Sequence, residues 1–154
     1  MEKVWLKNYS KGVPETIDPD QYASLVALIE QSLDKYSSKA AFTNLGVTLT
    51  YEQLDIKSKQ IASYLQYNLH LKKGARVAIM MPNLLQYPIT LYGILRAGMV
   101  AVNVNPMYTS RELKHQLSDS GAEAIIILAN FAHVLADIID ETPVRRIIVT
   151  EIAD

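Results

Sequence analysis

Hydrophobic positions along this chain follow two rhythms in succession. From Ser24, residues Leu25, Leu28, Ile29, Leu33 and Tyr36 recur at three- and four-residue intervals, which places them on one face of a helix ending near Ser38. Two short β-prone runs, Ala41–Asn44 and Val47–Thr50, flank Leu45-Gly46 and predict a hairpin, with Asn44 and Gly46 as the turn formers. The next helix opens at Thr50-Tyr51-Glu52-Gln53, where a threonine followed three residues later by glutamine is a capping box. Tyr51, Leu54, Ser58, Ile61 and Leu65 form its inner stripe, and it runs to about Asn68.

From Lys73 the second rhythm takes over. Apolar, β-branched runs centred near Ala78, Ala101, Ile125 and Ile148 recur every 23 or 24 residues, and each gap holds one helix-length segment. These runs are almost wholly apolar rather than alternating, as strands buried on both faces are. The pattern predicts an α/β fold, a mainly parallel sheet flanked by helices on both faces, with a short N-terminal β-hairpin. Thr109-Ser110-Arg111-Glu112 is a second capping box, starting a helix that ends before Gly121. Asn130 reads as the cap of a helix carrying Phe131, Val134, Leu135 and Ile138, which Thr142-Pro143 terminates. Residues 1–23, with Pro14, Pro19 and no sustained period, read as an extended arm over a body spanning 24–154.

Composition narrows the functional classes. The 154 residues are 49% apolar, enough for a packed core, and carry a formal net charge of −1, so no single-sign field exists to recruit nucleic acid. Cysteine is absent, which removes disulfides, thiolate catalysis and cysteine-type zinc sites. The polar N-terminus lacks the apolar core of a secretory signal, an expectation of cytoplasmic residence. The longest apolar stretch, 77–104, is interrupted by Pro82, Pro88, Arg96 and Gly98 and reads as strand–helix–strand, not a membrane span.

The search for chemistry is mostly negative. Gly93 and Gly98 have the spacing that opens a phosphate-binding loop, but Met99-Val100 stand where lysine and serine or threonine are required. The structural reading is that Gly93 admits a close helix contact and Gly98 caps the helix in the left-handed conformation. His70, His115 and His133 are too scattered to form a sequence-local metal site, so no metal site is predicted. Asp18, Asp20, Asp119, Asp137, Asp140 and Glu141 are unpaired in sequence, and no serine sits in a nucleophile elbow. No catalytic and no cofactor-binding residue is predicted on this chain. In open parallel sheets ligands gather beyond the carboxyl ends of strands. That rule selects Met81-Pro82-Asn83 and the segment Asn103–Tyr108, with Asn83, Asn105 and Tyr108 as candidate wall residues of a substrate pocket. Asn83 reads first as a helix N-cap and second as a ligand contact; Asn105-Pro106 reads equally as a turn and as a shaper of the pocket.

The residues of 76–127, together with VWLKNY at 4–9, TYEQL at 50–54 and NFAH at 130–133, resemble the N-terminal region of adenylate-forming acyl-CoA synthetases, specifically bacterial long-chain fatty-acid–CoA ligases. The resemblance covers essentially the whole chain. It implies an incomplete N-terminal subdomain, the opening part of an AMP-forming ligase that activates a fatty acid through acyl-adenylate and passes it to coenzyme A. ATP, CoA and magnesium would serve that enzyme. The family's phosphate loop, adenine-binding loop, ribose aspartate and mobile-domain lysine have no counterpart here, so the resemblance carries over no catalytic residue. It further implies contact with the inner face of the cell membrane, to which Lys3, Trp5 and Lys7 would contribute, and an uncovered apolar face or sheet edge inviting a homodimer. Two other readings stand beside it: a self-contained flavodoxin-like nucleotide- or flavin-binding module, and a non-catalytic interaction domain.

Overall fold

A computed structural model describes residues 2–152 and 154. After a 3-10 turn at Val4–Asn8, the elements are helix α1 (Leu25–Lys35), strands β1 (Ala40–Asn44) and β2 (Val47–Thr50), and helix α2 (Tyr51–Ser63), which continues as a wider π turn over Tyr64–Asn68. There follow β3 (Arg76–Met80), α3 (Gln86–Arg96), β4 (Val100–Asn103), α4 (Ser110–Ser120), β5 (Ala124–Leu128), the short α5 (Ala132–Ala136) and β6 (Arg146–Thr150). The first residue of the predicted arm and Ala153 lie outside the described residues.

Two layers of side chains sandwich a four-stranded, wholly parallel sheet of order β4-β3-β5-β6. Strand side chains alternate between faces, and this divides one hydrophobic ribbon between two cores. Val77, Ile79, Ala124, Ile126 and Leu128 meet Leu65, Ile94 and Ala97 on one face. Ala78, Met80, Ile125 and Ile127 meet Leu113, Leu117, Leu135 and Ile138 on the other. The two central strands are apolar and buried over 77–80 and 124–128 because both faces are covered there, whereas the outer strands β4 and β6 carry polar ends and are partly exposed.

A third, smaller cluster holds the N-terminal elements against the outside of α3. Ile29 and Leu33 of α1, Leu49 of β2 and Leu54 of α2 are buried there against Leu85, Ile89, Tyr92 and Leu95. The β1–β2 hairpin turns through Leu45 and Gly46, with φ of 48° and 80°. A two-residue hairpin turn of this hand needs positive φ at both positions. Glycine accepts it freely, whereas a left-handed Leu45 costs roughly 1–2 kcal/mol.

Helix ends were legible where the signal was local. Ser24 Oγ accepts the amide of Ala27 at 3.0 Å, and both capping boxes form in full, Thr50 with Gln53 and Thr109 with Glu112. Gly98, at φ 72°, closes α3 by a double turn in which its amide reaches Leu95 O at 3.0 Å and that of Met99 reaches Ile94 O at 3.1 Å. Two expected caps do not form. The N-cap of α3 is Leu85, without a side-chain bond, because the chain passes through a tight turn first (Leu84 N to Pro82 O, 2.8 Å), and Asn83 lies two residues too early. Asn130 lies inside a 3-10 turn, Ala129–Phe131, and α5 starts after it at Ala132.

Gly93 is the point where α3 meets α2. A Cβ placed there would stand 2.5 Å from Ile61 Cγ2 and 3.1 Å from the Ser58 carbonyl, a contact only glycine permits. Gly93→Ala is therefore expected to destabilise the fold by about 1–3 kcal/mol through overpacking, despite alanine's better helix propensity. Ile94, fully buried on the opposite side of that turn, should cost about 2–5 kcal/mol as Ile94→Ala. Urea denaturation followed by circular dichroism measures both; a loss below about 1 kcal/mol at Ile94 would contradict the packing described.

Candidate functional site

The strand order fixes where a ligand would be expected. β3 leads to β4 through α3 on one face, and β5 leads to β6 through α5 on the other, so the connections diverge between β3 and β5 and the switch point lies at their carboxyl ends. That crevice is filled. Leu84 and Phe131 pack into the first core, and Gln86 Nε2 donates to the Glu151 carbonyl at 2.8 Å, roping the start of α3 to the end of β6.

Two concave surfaces flank it. One is an apolar groove of about 350 Å³ between the hairpin and α3, lined by Phe42, Asn44, Asn83, Leu84, Tyr87 and Leu91 among others. Asn44 Nδ2 donates to the Asn83 carbonyl at 3.0 Å, which joins the hairpin tip to the loop after β3. The second is an open depression of about 880 Å³ along α4, where Tyr108 lies beside Thr109, Arg111, Glu112 and His115. Asn105 lines neither surface. Its Oδ1 accepts the amide of Met107 at 3.0 Å and its carbonyl that of Tyr108 at 3.1 Å, so it builds the turn that delivers Tyr108 to α4. The three residues singled out from sequence thus fall in three different settings.

Between the two surfaces lies Asn103, the last residue of β4. Tyr87 Oη donates to its Oδ1 at 3.0 Å and Gln116 Nε2 to its carbonyl at 2.8 Å. Gln116 Oε1 is buried without a partner. Sequence reading passed over Tyr87 and Gln116, since nothing local links a residue of α3 to one of α4.

The strongest electrostatic cluster lies elsewhere, at the junction of α1, α2 and α3. Arg96, whose side chain is 5% exposed, donates through Nη2 to Asp55 Oδ1 at 2.6 Å and through Nη1 to the Asp55 carbonyl at 3.0 Å. Lys59 Nζ meets Asp55 Oδ2 at 2.7 Å, and Glu30 stands 3.7 Å from Arg96. Burial pushes the Asp55 carboxyl up, but hydrogen bonds from Lys59 and Arg96, reinforced by their charges, outweigh it and hold the group below its ordinary value. On α4, Glu112 is likewise held low by the backbone and hydroxyl hydrogens of Thr109. Both are structural roles.

Among the described residues no three His, Cys, Asp or Glu side chains are placed to share a metal ion. No helix among them is long and apolar enough to cross a membrane.

Sheet order and the two-faced core define an α/β domain built on a parallel sheet, and comparison with known proteins gives it a family. Residues 29–154 match the AMP-binding enzyme family, and the chain belongs to that family. It is 56% identical over all 154 residues to a long-chain-fatty-acid–CoA ligase of Escherichia coli and 36% identical over 127 residues to one of Bacillus subtilis. It spans only 28% of the length of the former and 22% of the latter. Among solved structures, a long-chain-fatty-acid–CoA ligase from Archaeoglobus fulgidus matches with a TM-score of 0.79 at 27% identity, over 92% of this chain and 30% of that one. The fold expected from the strand rhythm is the fold of those N-terminal regions, and a self-contained flavodoxin-like module is not favoured.

Asp55 yields a pH prediction. A carboxyl whose folded pKa lies below its unfolded value of about 3.9 contributes stability that is fully present above that value and lost as pH falls through the folded one. Asp55→Asn is expected to cost about 3 kcal/mol near neutrality, because it leaves the buried Arg96 with only the more distant, exposed Glu30 as counter-charge. The gap between wild type and variant should stay constant above about pH 5 and close on acidification. Denaturant melts at several pH values measure it; a gap that widens towards acid would refute the assignment.

Proposed function

We propose that this chain is the N-terminal scaffold of a long-chain fatty-acid–CoA ligase, an ATP-dependent, AMP-forming enzyme. The observation that carries the reading is the 56% identity to such a ligase along the entire chain. In the two-step reaction, a fatty acid carboxylate attacks the α-phosphate of ATP, pyrophosphate leaves, and coenzyme A then displaces AMP from the acyl-adenylate. Magnesium supplies charge neutralisation at the leaving pyrophosphate. This chain's residues take no proton and form no bond in either step; residues 24–154 act as the first α/β subdomain, with residues 1–23 as an arm against it.

The apolar groove suits an aliphatic ligand better than a charged one, since its wall is made of Phe42, Leu84, Pro88 and Leu91 with Asn83 at its rim. On this reading Asn83 and Tyr108 contribute to pocket walls, and Asn105 positions Tyr108. Lys3 and Lys7 with the 48%-exposed Trp5 suit contact at the inner face of the membrane from a cytoplasmic enzyme.

A chimera tests the assignment. With residues 1–154 replacing the matching segment of the Escherichia coli ligase, palmitoyl-CoA formation should stay within about tenfold of the parent, a change of 1.4 kcal/mol or less in activation free energy. A folded chimera without activity would overturn it. The chain alone is expected to show no saturable ATP binding by calorimetry; micromolar affinity would favour a self-contained nucleotide-binding module instead.

A further inference from the structure

Ligands of a parallel sheet usually collect at the carboxyl ends of its strands, yet a group of cations gathers here at the opposite end. Lys72, ahead of β3, and Arg145 and Arg146, at the entry to β6, line a pocket of about 280 Å³ with His70 and Glu123. Backbone hydrogen bonds tie these segments together: Glu123 N donates to the Arg76 carbonyl at 2.9 Å, and Arg145 N to the Glu123 carbonyl at 2.8 Å. The wall behind them is unusual in backbone conformation. The π turn after α2 is closed by Leu69 N on Tyr64 O at 3.0 Å, and His70 follows with a left-handed φ of 54°. Wide turns and positive φ outside glycine concentrate at functional sites. Leu69 and Leu71, packed against the first core, give the pocket an apolar floor.

These cations have no carboxylate partners: the ion pairs among the described residues all involve other side chains. Main-chain carbonyls pin the two guanidiniums instead. Arg145 Nη1 donates to those of Thr142 and Val144 at 2.7 and 2.8 Å, and Arg146 Nη1 to that of Arg145 at 3.1 Å. A guanidinium oriented by neutral acceptors keeps its full charge and presents its other N–H groups as a fork that matches the oxygens of a phosphoryl group. Glu123 is the one carboxylate in the lining, set against Lys72, Arg145 and Arg146. We propose that this pocket binds a phosphoryl group carried on a small organic body, its oxygens taken by the three cations and its carbon part lying on Leu69 and Leu71. The volume is too small to enclose a nucleoside triphosphate, so this is not an ATP site, and it does not depend on the ligase assignment.

Titration of the isotope-labelled chain with inorganic phosphate, followed by amide NMR shifts, should saturate with a Kd of about 1 mM and move the amides of 69–72, 123 and 145–146 most. Phenyl phosphate should bind about three- to tenfold tighter, because its ring covers the leucine floor. Lys72→Gln and Arg146→Gln, both at exposed positions, should each weaken phosphate binding at least about threefold with the melting temperature unchanged, and Glu123→Gln should strengthen it about threefold. Flotation with vesicles of phosphatidic acid in phosphatidylcholine is the second arm. Retention that is lost in Arg146→Gln assigns the phosphoryl group to a lipid headgroup; any other result assigns it to a soluble ester. The absence of saturable binding in both arms overturns the proposal. So does phosphate that shifts amides near all surface cations alike, or an affinity indifferent to all three substitutions.

Discussion

The contact between α2 and α3 holds the molecule together as one body. Gly93 offers no side chain, so Ile61 settles against the backbone of α3, and a turn further on Arg96 reaches back to Asp55 of α2. The first interaction is dispersion at close range, the second a charge pair removed from water, and each makes the other possible. A larger residue at 93 would push the helices apart and lengthen a 2.6 Å ion pair. Through this seam α1 and the hairpin, whose own apolar cluster is small, are fixed to the sheet.

Placement of the pair matters for its sign. A buried arginine without a partner is a large penalty, whereas a paired one only roughly balances its desolvation. Arg96 joins α3 to Asp55 of α2, while Lys59 and Glu30 add charge from α2 and α1. Its Nε is left without a partner.

The sheet determines what the molecule can and cannot do. Parallel strands bring all their following loops to one edge, the usual position for a ligand, yet here that crevice is packed with Leu84 and Phe131 and bridged by Gln86. Beside it stand an apolar groove between the hairpin and α3 and a polar depression along α4. The chain spans 28% of the length of its Escherichia coli relative.

The chain's own order of residues determined its secondary structure and layering. Capping boxes at Thr50 and Thr109, the helix stop at Gly98 and the spacing of four apolar runs act within a few residues of each other, so they survive in one dimension. The same is true of the glycine at 93, legible as a close-contact site although its partner Ile61 was not. Asn83 and Asn130 misled because an asparagine near a helix start signals a cap only if the turn geometry brings it into register, and here the intervening turns displaced the caps by two residues from Asn83 and by one from Asn130. Tertiary structure alone decided the strand order, the pairing of Arg96 with Asp55 and the Tyr87–Asn103–Gln116 links. Each depends on segments distant in sequence meeting in space, and a pattern of near neighbours carries no record of that.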